Sequence, residues 1–413
     1  MSSPALWTLG LLALALGARA ARIIWSAGQT WNDAMVLAIV LGCIGIYPVL
    51  AWGALEAGDL GPALGIALGT GATAVWALFE GLDRRVELGR VGMAAAAASQ
   101  LGLGFALWAG LIVLLRAPFA ALQGGAAAVA WPGGWLWLPL VLSLGALLWT
   151  WRRRAHLQRV RVPGPPAVAL PGGPLRVAHL SDLHVSPVMR GAELDELLAT
   201  ALAEDPDIIV ITGDLVMPFS EQHHPWLVER LRSLELPCLV CPGNHDTPVA
   251  GPLKAELEAV GVRWLADDRA VLPVRGGDAQ VEVVGLDFRW SGLRRQLDAV
   301  LAAHPPPVEV AARILLVHDP RVARLLPPGR FDLTLCGHTH GGQVGLDPLG
   351  LRLTAVGLLG QLDQGLFQLP GGPAYVNRGA WRFGFPPRLG VGPEVALIEL
   401  GPGALSPRDR SAR

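Results

Sequence analysis

Leu335-Cys336-Gly337-His338-Thr339-His340-Gly341-Gly342-Gln343 is the stretch that decides the reading of this chain. Its two histidines follow the apolar run Phe331 to Cys336 and precede a glycine pair. That order places them where a strand hands over to a loop, whose glycines let the backbone approach a ligand closely. Alone, such a pair is an ordinary set of loop polar residues; four clusters upstream give it meaning. Leu175–Leu180 runs into Ser181-Asp182-Leu183-His184, and Ile208–Thr212 into Gly213-Asp214. Cys238–Cys241 leads to Gly243-Asn244-His245-Asp246, and Ile314–Val317 to His318-Asp319. With Val281–Leu286 and Leu333–Cys336, these Val-, Ile- and Leu-rich runs alternate with helix-like stretches at 191–204 and 226–234. The alternation predicts an α/β domain, in which ligands bind beyond the carboxyl ends of the strands. Any one cluster could cap a helix or sit in a turn. Polar groups gathered at five successive strand ends are costly to bury together unless metal ions organise them.

Composition divides the chain. Of its 413 residues 52% are hydrophobic and only 16% charged, too apolar for a single water-soluble globule. Residues 1–151 carry six arginines and six acidic residues, while all ten histidines lie beyond them. A formal net charge of −1 excludes the basic excess of a nucleic-acid-binding protein. The four cysteines form no disulfide framework. Cys43 falls in an apolar segment, Cys336 precedes the double histidine, and Cys238-Leu239-Val240-Cys241 reads as a buried strand. That pair has redox-motif spacing but no positive neighbour to activate it.

Apolar segments at about 4–21, 35–55, 61–79, 91–115 and 135–151 each approach the roughly 20 residues that a bilayer core requires. The first is read as an uncleaved helix. Ala18-Arg19-Ala20 resembles a cleavage site, but no basic residue precedes the apolar run. Gly61, Gly65 and Gly69 have the spacing of a close helix contact. Basic loops alternate along the chain: Arg19 and Arg22, then Arg84, Arg85 and Arg90, then Arg152, Arg153, Arg154, Arg159 and Arg161. This bias puts the N-terminus outside and everything after 151 in the cytoplasm. Few ionisable groups lie within the segments, which therefore read as an anchor of four to five helices rather than a transport path. Residues 152–174, basic and then rich in Pro and Gly, read as a linker. The expected domains are thus the anchor at 1–151, the linker, a catalytic domain at 175–402 and a disordered tail at 403–413.

In order, Asp-x-His, Gly-Asp, Gly-Asn-His-Asp, a lone His and Gly-His-x-His resemble the calcineurin-like metallophosphoesterase superfamily, over about residues 175–400. The Gly-His-Thr-His-Gly-Gly-Gln form resembles a membrane-associated branch that includes enzymes cleaving UDP-2,3-diacylglucosamine. The resemblance implies a two-sheet α/β/β/α sandwich holding two divalent ions. It puts Asp182, His184 and His340 on one ion, Asn244, His318 and His338 on the other, and Asp214 between them. Two cations about 3.5–4 Å apart can clamp a phosphoryl group. The resemblance makes His245 the non-ligand acid that serves the leaving oxygen or a phosphate-binding group. Imidazole and carboxylate without thiolate suit Mn²⁺, Fe or Zn²⁺. Met217 departs from the many relatives with an acidic or amide residue three positions after the bridging aspartate, which bears on local substrate contacts.

The implied protein is an integral protein of a bacterial inner membrane that hydrolyses a phosphodiester or pyrophosphate of a lipid-linked substrate, with no nucleic acid and no protein partner. The competing readings are an inactive phosphoesterase-fold scaffold or sensor, and a phosphatase of soluble nucleotides or phosphoproteins. An inactive scaffold would normally lack a ligand, and none of the seven is missing. His179, His223, His224 and His304 read as structural or solvated. Asn377-Arg378-Gly379 could bring a guanidinium to a phosphate or form a surface turn. Phe219, Trp226, Trp290, Trp381, Phe383 and Phe385 are rim candidates for contact with a bilayer, with core packing the better reading for any single one.

Overall fold

The computed structural model describes residues 154–402 except 165–172, 186–188, 190, 218–223, 275–278, 307–308, 344, 347–352, 382–387 and 389, together with six helical positions between Leu138 and Leu148. The first four apolar segments, most of the fifth, the tail after 402, Cys43, Phe219, His223, Phe383 and Phe385 lie outside the described residues. Among the described residues no helix is long and apolar enough to cross a membrane. The chain divides into two units, and the second, Thr150–Gly384 with Arg388–Arg413, contains every element named below.

Two six-stranded mixed sheets form its centre. The first has the order β1 (His156–Pro163), β12 (Glu394–Gly401), β2 (Leu175–Leu180), β3 (Ile208–Thr212), β4 (Cys238–Cys241) and β5 (Arg263–Trp264). The second has β10 (Gly365–Leu369), β11 (Gly372–Val376), β9 (Leu333–Cys336), β8 (Ala312–Leu316), β7 (Ala279–Gly285) and β6 (Asp268–Val274). The parallel strands β2 to β4 and β7 to β9 are buried on both faces, which is why they read as unbroken apolar runs.

Alternate residues of each strand feed different cores. Val177, Ile208, Val210 and Leu239 meet Val283, Ile314, Leu333 and Leu335 between the sheets. The opposite side of the first sheet, with Ala178, Leu180, Ile209 and Val240, packs on α1 (Gly191–Leu202), α2 (His224–Arg232) and α3 (Ala250–Glu258). The outer side of the second, with Val284, Leu315 and Val317, packs on α4 (Leu293–Ala303) and the 3-10 segment Pro320–Leu325. Helices, sheet, sheet and helices follow one another, as the sandwich expected.

The domain begins before Leu175, and this corrects the linker boundary. His156–Pro163 is a full edge strand, in parallel register with β12 from His156 opposite Glu394 to Pro163 opposite Gly401. Its Arg-Val-Arg-Val alternation buries Val160 and Val162 and points Arg159 and Arg161 outward. There they pair with Glu204 at 2.7 Å and Glu399 at 2.9 Å. Two arginines counted as loop charges are therefore the polar face of a strand, and Arg152, Arg153 and Arg154 alone remain as the basic cluster before it.

Candidate metal centre

The sheets deliver their polar residues to one end. After β2, Asp182 and His184 turn back toward β3; after β3 comes Asp214, after β8 His318, and after β9 His338 and His340. The turns are abrupt. Asp182, His184, Asp214, His338 and His340 all hold positive φ, between 46° and 74°, and among the described residues they make up most of the non-glycine positions that do so. Such backbone costs about 1–3 kcal/mol at each position and persists where the surroundings demand it. Asp and His tolerate it better than most residues, so the residue types suit the turns as well as the chemistry. Close approach explains two of the glycines. A Cβ on Gly337 would stand 1.8 Å from Ser181 Oγ, and one on Gly243 would stand 2.2 Å from Asp214 Oδ1.

Two groups with metal-ligand spacing result: Asp182, His184, Asp214 and His340, and Asp214, His318 and His338. In the first, His340 Nε2 lies 3.2 Å from Asp182 Oδ1 and 3.3 Å from His184 Nε2, which is 3.7 Å from Asp214 Oδ2. In the second, His318 Nε2 lies 3.2 Å from both Asp214 Oδ2 and His338 Nδ1. Asp214 is common to both. Asn244 follows β4, between Gly243 and His245, whose backbone N–H donates to Asp214 Oδ1 at 2.9 Å. Its own Oδ1 is buried with no hydrogen-bond partner, as is Asp182 Oδ1. Buried acceptors that no protein donor satisfies, in a cluster that also holds imidazole nitrogens, are a donor set that fits cations.

The electrostatics follow from burial and from Asp214. Burial pushes His340 down to about 3 and, with the charge on His318, His338 down to about 4. Burial also leads the causes that hold His184 well below the imidazole range. Burial is the largest influence on His318 too and lowers it, but the Asp214 carboxylate, with Asp182 and Thr212 O, brings the ring up to about 10. His318 Nδ1 is fixed by Thr212 O at 2.7 Å, which leaves Nε2 for the centre. Asp246 is raised to about 7 by burial and then by Asp214, while its oxygens accept from Gly243 N at 2.8 Å and Val216 N at 3.1 Å. It thereby shapes the loop that carries Asn244 and His245.

His245 stands apart. Its Nε2 is 4.0 Å from Asp214 Oδ2, its ring meets His184 edge-on at 4.9 Å, and its side chain keeps 26% of its exposure. It is at the centre yet open to a substrate.

A family model described as "Calcineurin-like phosphoesterase" matches residues 175–342. The metallophosphoesterase YkuE of Bacillus subtilis (strain 168) is 30% identical over 238 residues, which cover 54% of this chain and 78% of the relative. This chain belongs to the calcineurin-like metallophosphoesterases. Phosphodiesterase YaeI of Escherichia coli (strain K12) is 28% identical over 235 residues, covering 55% of this chain and 82% of YaeI. A bovine relative named "Transmembrane protein with metallophosphoesterase domain" is 28% identical over 247 residues, covering 55% of this chain and 53% of the relative. The protein is accordingly a metal-dependent phosphoester hydrolase.

Two residues beside the centre of this metallophosphoesterase, Arg388 and Phe288, were not visible in the sequence. Arg388, 1% exposed, points its guanidinium at the first group. Nη2 lies 3.2 Å from His340 Nδ1 and donates to Arg378 O at 2.6 Å and Trp381 O at 2.9 Å, while Nη1 reaches His340 O at 3.3 Å. Phe288 and Trp290 wall the second group, with Phe288 5.8 Å from the rings of both His318 and His338. Trp290 lies 6.1 Å from His338. Asp319, next to His318, serves structure instead, capping the 3-10 segment through Arg321 N at 2.9 Å.

The remaining candidates take structural places. His179 is buried against Thr212 Oγ1 at 2.8 Å. His224 opens α2 beside Glu256 at 3.7 Å, and His304 ends α4. Arg378 Nε lies 3.2 Å from Glu394 Oε2, and Asn377 Nδ2 donates to His179 O at 3.0 Å, so the Asn377-Arg378-Gly379 turn braces the centre from behind. Trp226 and Trp381 pack into the helical core, whereas Trp290 stays at the rim. Met217 N donates to Val185 O at 3.0 Å, extending the contact between the loops after β2 and β3.

Proposed function

We propose that the protein is a membrane-anchored hydrolase with a dinuclear centre that cleaves a phosphodiester or pyrophosphate of a lipid-linked substrate. The carrying observation is that two groups of His and Asp side chains share one buried carboxylate, Asp214. In this reading Asp182, His184 and His340 hold the first ion, Asn244, His318 and His338 the second, and Asp214 bridges them. Mn²⁺, Fe and Zn²⁺ all suit the donors. When bound, the pair supplies Lewis-acid stabilisation of the phosphoryl oxygens and an activated nucleophile.

The chain's own residues do the rest. Asp214 turns Oδ2 toward His184 and His318, one from each group, while the His245 N–H fixes Oδ1. His245 presents its ring to the substrate, where a protonated imidazole stabilises charge on the phosphoryl oxygens and donates to the leaving oxygen. Phe288 and Trp290 give the second group an apolar wall against which a leaving group can lie.

The lipid-linked substrate and the cytoplasmic, inner-membrane placement rest on the five apolar segments and the basic cluster Arg152–Arg154, supported by the transmembrane relative. UDP-2,3-diacylglucosamine is the specific candidate. The test compares a lipid phosphodiester in vesicles with its deacylated headgroup at equal concentration. The proposal requires a higher kcat/KM for the lipid. An equal or higher value for the headgroup defeats it and favours a soluble nucleotide or a phosphoprotein.

A further inference from the structure

The end of the sandwich that carries the metal centre is also the end at which the chain enters it. β12 runs antiparallel to β2, with Ala396 opposite His179, so Glu394 lies at the carboxyl end of β2 that leads to Asp182. β1 runs parallel to β12, with His156 opposite Glu394, and His156 N donates to Pro393 O at 3.1 Å. The first strand therefore starts at the site end. Only four residues, Arg152 to Ala155, separate it from the apolar run 135–151. Four extended residues reach about 14 Å.

The same end exposes leucines. The segment from Leu353 to Leu359, including α5 (Ala355–Leu358), is built onto the double-histidine loop. Gly345 pairs with Thr354, and a Cβ on Gly342 would lie 3.0 Å from Thr354 Oγ1. Thr354 Oγ1 donates to Asp363 Oδ2 at 2.6 Å and accepts from Gly357 N at 2.9 Å, while Thr339 Oγ1 donates to Asp363 O at 2.5 Å. A segment so firmly held nevertheless presents Leu358 and Leu359 at 74% and 80% exposure, with Leu346 and Leu353 also exposed. Beside them the exposed Arg324 donates from Nη2 to Gly360 O at 2.7 Å. Neighbouring apolar side chains at a rim, bordered by a cation, match the boundary between acyl chains and phosphate headgroups.

We propose that the Leu353–Leu359 segment is a membrane-docking surface that seats the metal centre's face on a lipid bilayer. Leu358 and Leu359 enter the interface, and Arg324 lies at headgroup depth. The inference rests on the reading that the apolar runs span a membrane, and it adds that the phosphoester reaches the centre from the bilayer side. The occupant is lipid rather than protein because the chain enters this end directly from an apolar run.

The test uses the full chain with Leu359→Cys in a Cys43→Ser background, labelled with an environment-sensitive fluorophore and reconstituted in phosphatidylcholine–phosphatidylglycerol vesicles. Cys238, Cys241 and Cys336 are buried, with their thiols pushed up by burial, Cys238 to about 12, so they escape labelling. Docking predicts a blue shift and quenching by lipids that carry a shallow spin label. The same label at Val271, exposed on strand β6, shows neither. An unshifted label at position 359, quenching no stronger than at 271, or a shift that depends on protein density instead of lipid overturns the proposal. Leu358→Ser with Leu359→Ser should keep hydrolysis of soluble bis-p-nitrophenyl phosphate and lose about tenfold on a vesicle-borne ester. Equal activity on both overturns it too. A docked label with no lipid hydrolysis leaves the docking surface standing and removes only the lipid-substrate reading.

Discussion

The two halves of the metal centre share Asp214 and differ in almost everything else. Around Asp182, His184 and His340 the protein is closed. The two histidine rings stack at 5.1 Å, burial leads the causes that lower both, and Arg388 and the Asn377–Gly379 turn stand behind them. Around His318 and His338 the site is more open, with His338 half-buried and its neighbours aromatic. Against burial, Asp214 with Asp182 and Thr212 O raises His318 to about 10, while burial leads in lowering His338 to about 4. One carboxylate thus serves a closed half and a more open one.

The most severe break is Asp214→Ala, which removes the shared ligand. Both ions should be largely lost and kcat/KM should fall about 10⁴-fold, as expected when two Lewis acids each worth several kcal/mol disappear. Asp182→Ala should chiefly deplete the closed half, and elemental analysis of the two purified variants distinguishes these outcomes. If Asp214→Ala keeps either ion at full occupancy, the carboxylate is not shared.

His245→Ala sharpens the contrast, because it removes a group that faces substrate without belonging to either half. Metal content should stay at the parent level while turnover falls roughly 10²–10⁴-fold. Metal loss in this variant would make His245 a ligand.

Smaller still is Arg388→Lys, which keeps a charge but loses the fork that reaches His340 Nδ1 and four carbonyls. Affinity for the first ion should drop about 10–100-fold, the usual size of a supporting contact, with the second ion unchanged. Competition with a chelator reads this directly. Equal weakening of both ions would show that the closed half has no separate support.

The gentlest test concerns His179, buried behind the centre and lowered to about 3. Unfolded, the ring takes a proton below about 6.5, while the folded protein refuses one until about 3. Stability is therefore full above that range and declines as pH falls through it, by about 1.4 kcal/mol per unit for this ring. His179→Gln should flatten the fall in Tm by about 3 °C per pH unit. An unchanged slope would assign the acid sensitivity to the centre's own histidines.

Legibility in the sequence followed from how local each signal was. β2, β3, β4 and β9 could be bounded to the residue because strands buried on both faces are unbroken apolar runs. The groups after them were readable because five such clusters at successive strand ends, each ordinary alone, are costly to bury together without cations. β1 was hidden because its Arg-Val alternation resembled loop charge, and β11 because it opens on Gly372-Pro373, which reads as a turn. β6 alternates exposed and half-buried positions and carries Pro273, so it offers little periodicity. Arg388 was invisible for another reason: its partners are His340 and three backbone carbonyls gathered by the fold, and no spacing announces such a meeting.

The pairing of β1 with β12 also constrains how the domain is made. Arg161 and Glu399, partners across that pairing, are 238 residues apart. A ribosome delivers β1 first, and roughly 240 residues at 5–20 residues per second must follow before its partner exists, a wait of at least about ten seconds. During that time the amphipathic strand, tethered to the apolar run, has an open edge, and β2 lacks the neighbour that will separate it from β1. The first sheet is thus completed late, by an insertion between two strands already made, and β12 is the step on which cotranslational assembly waits.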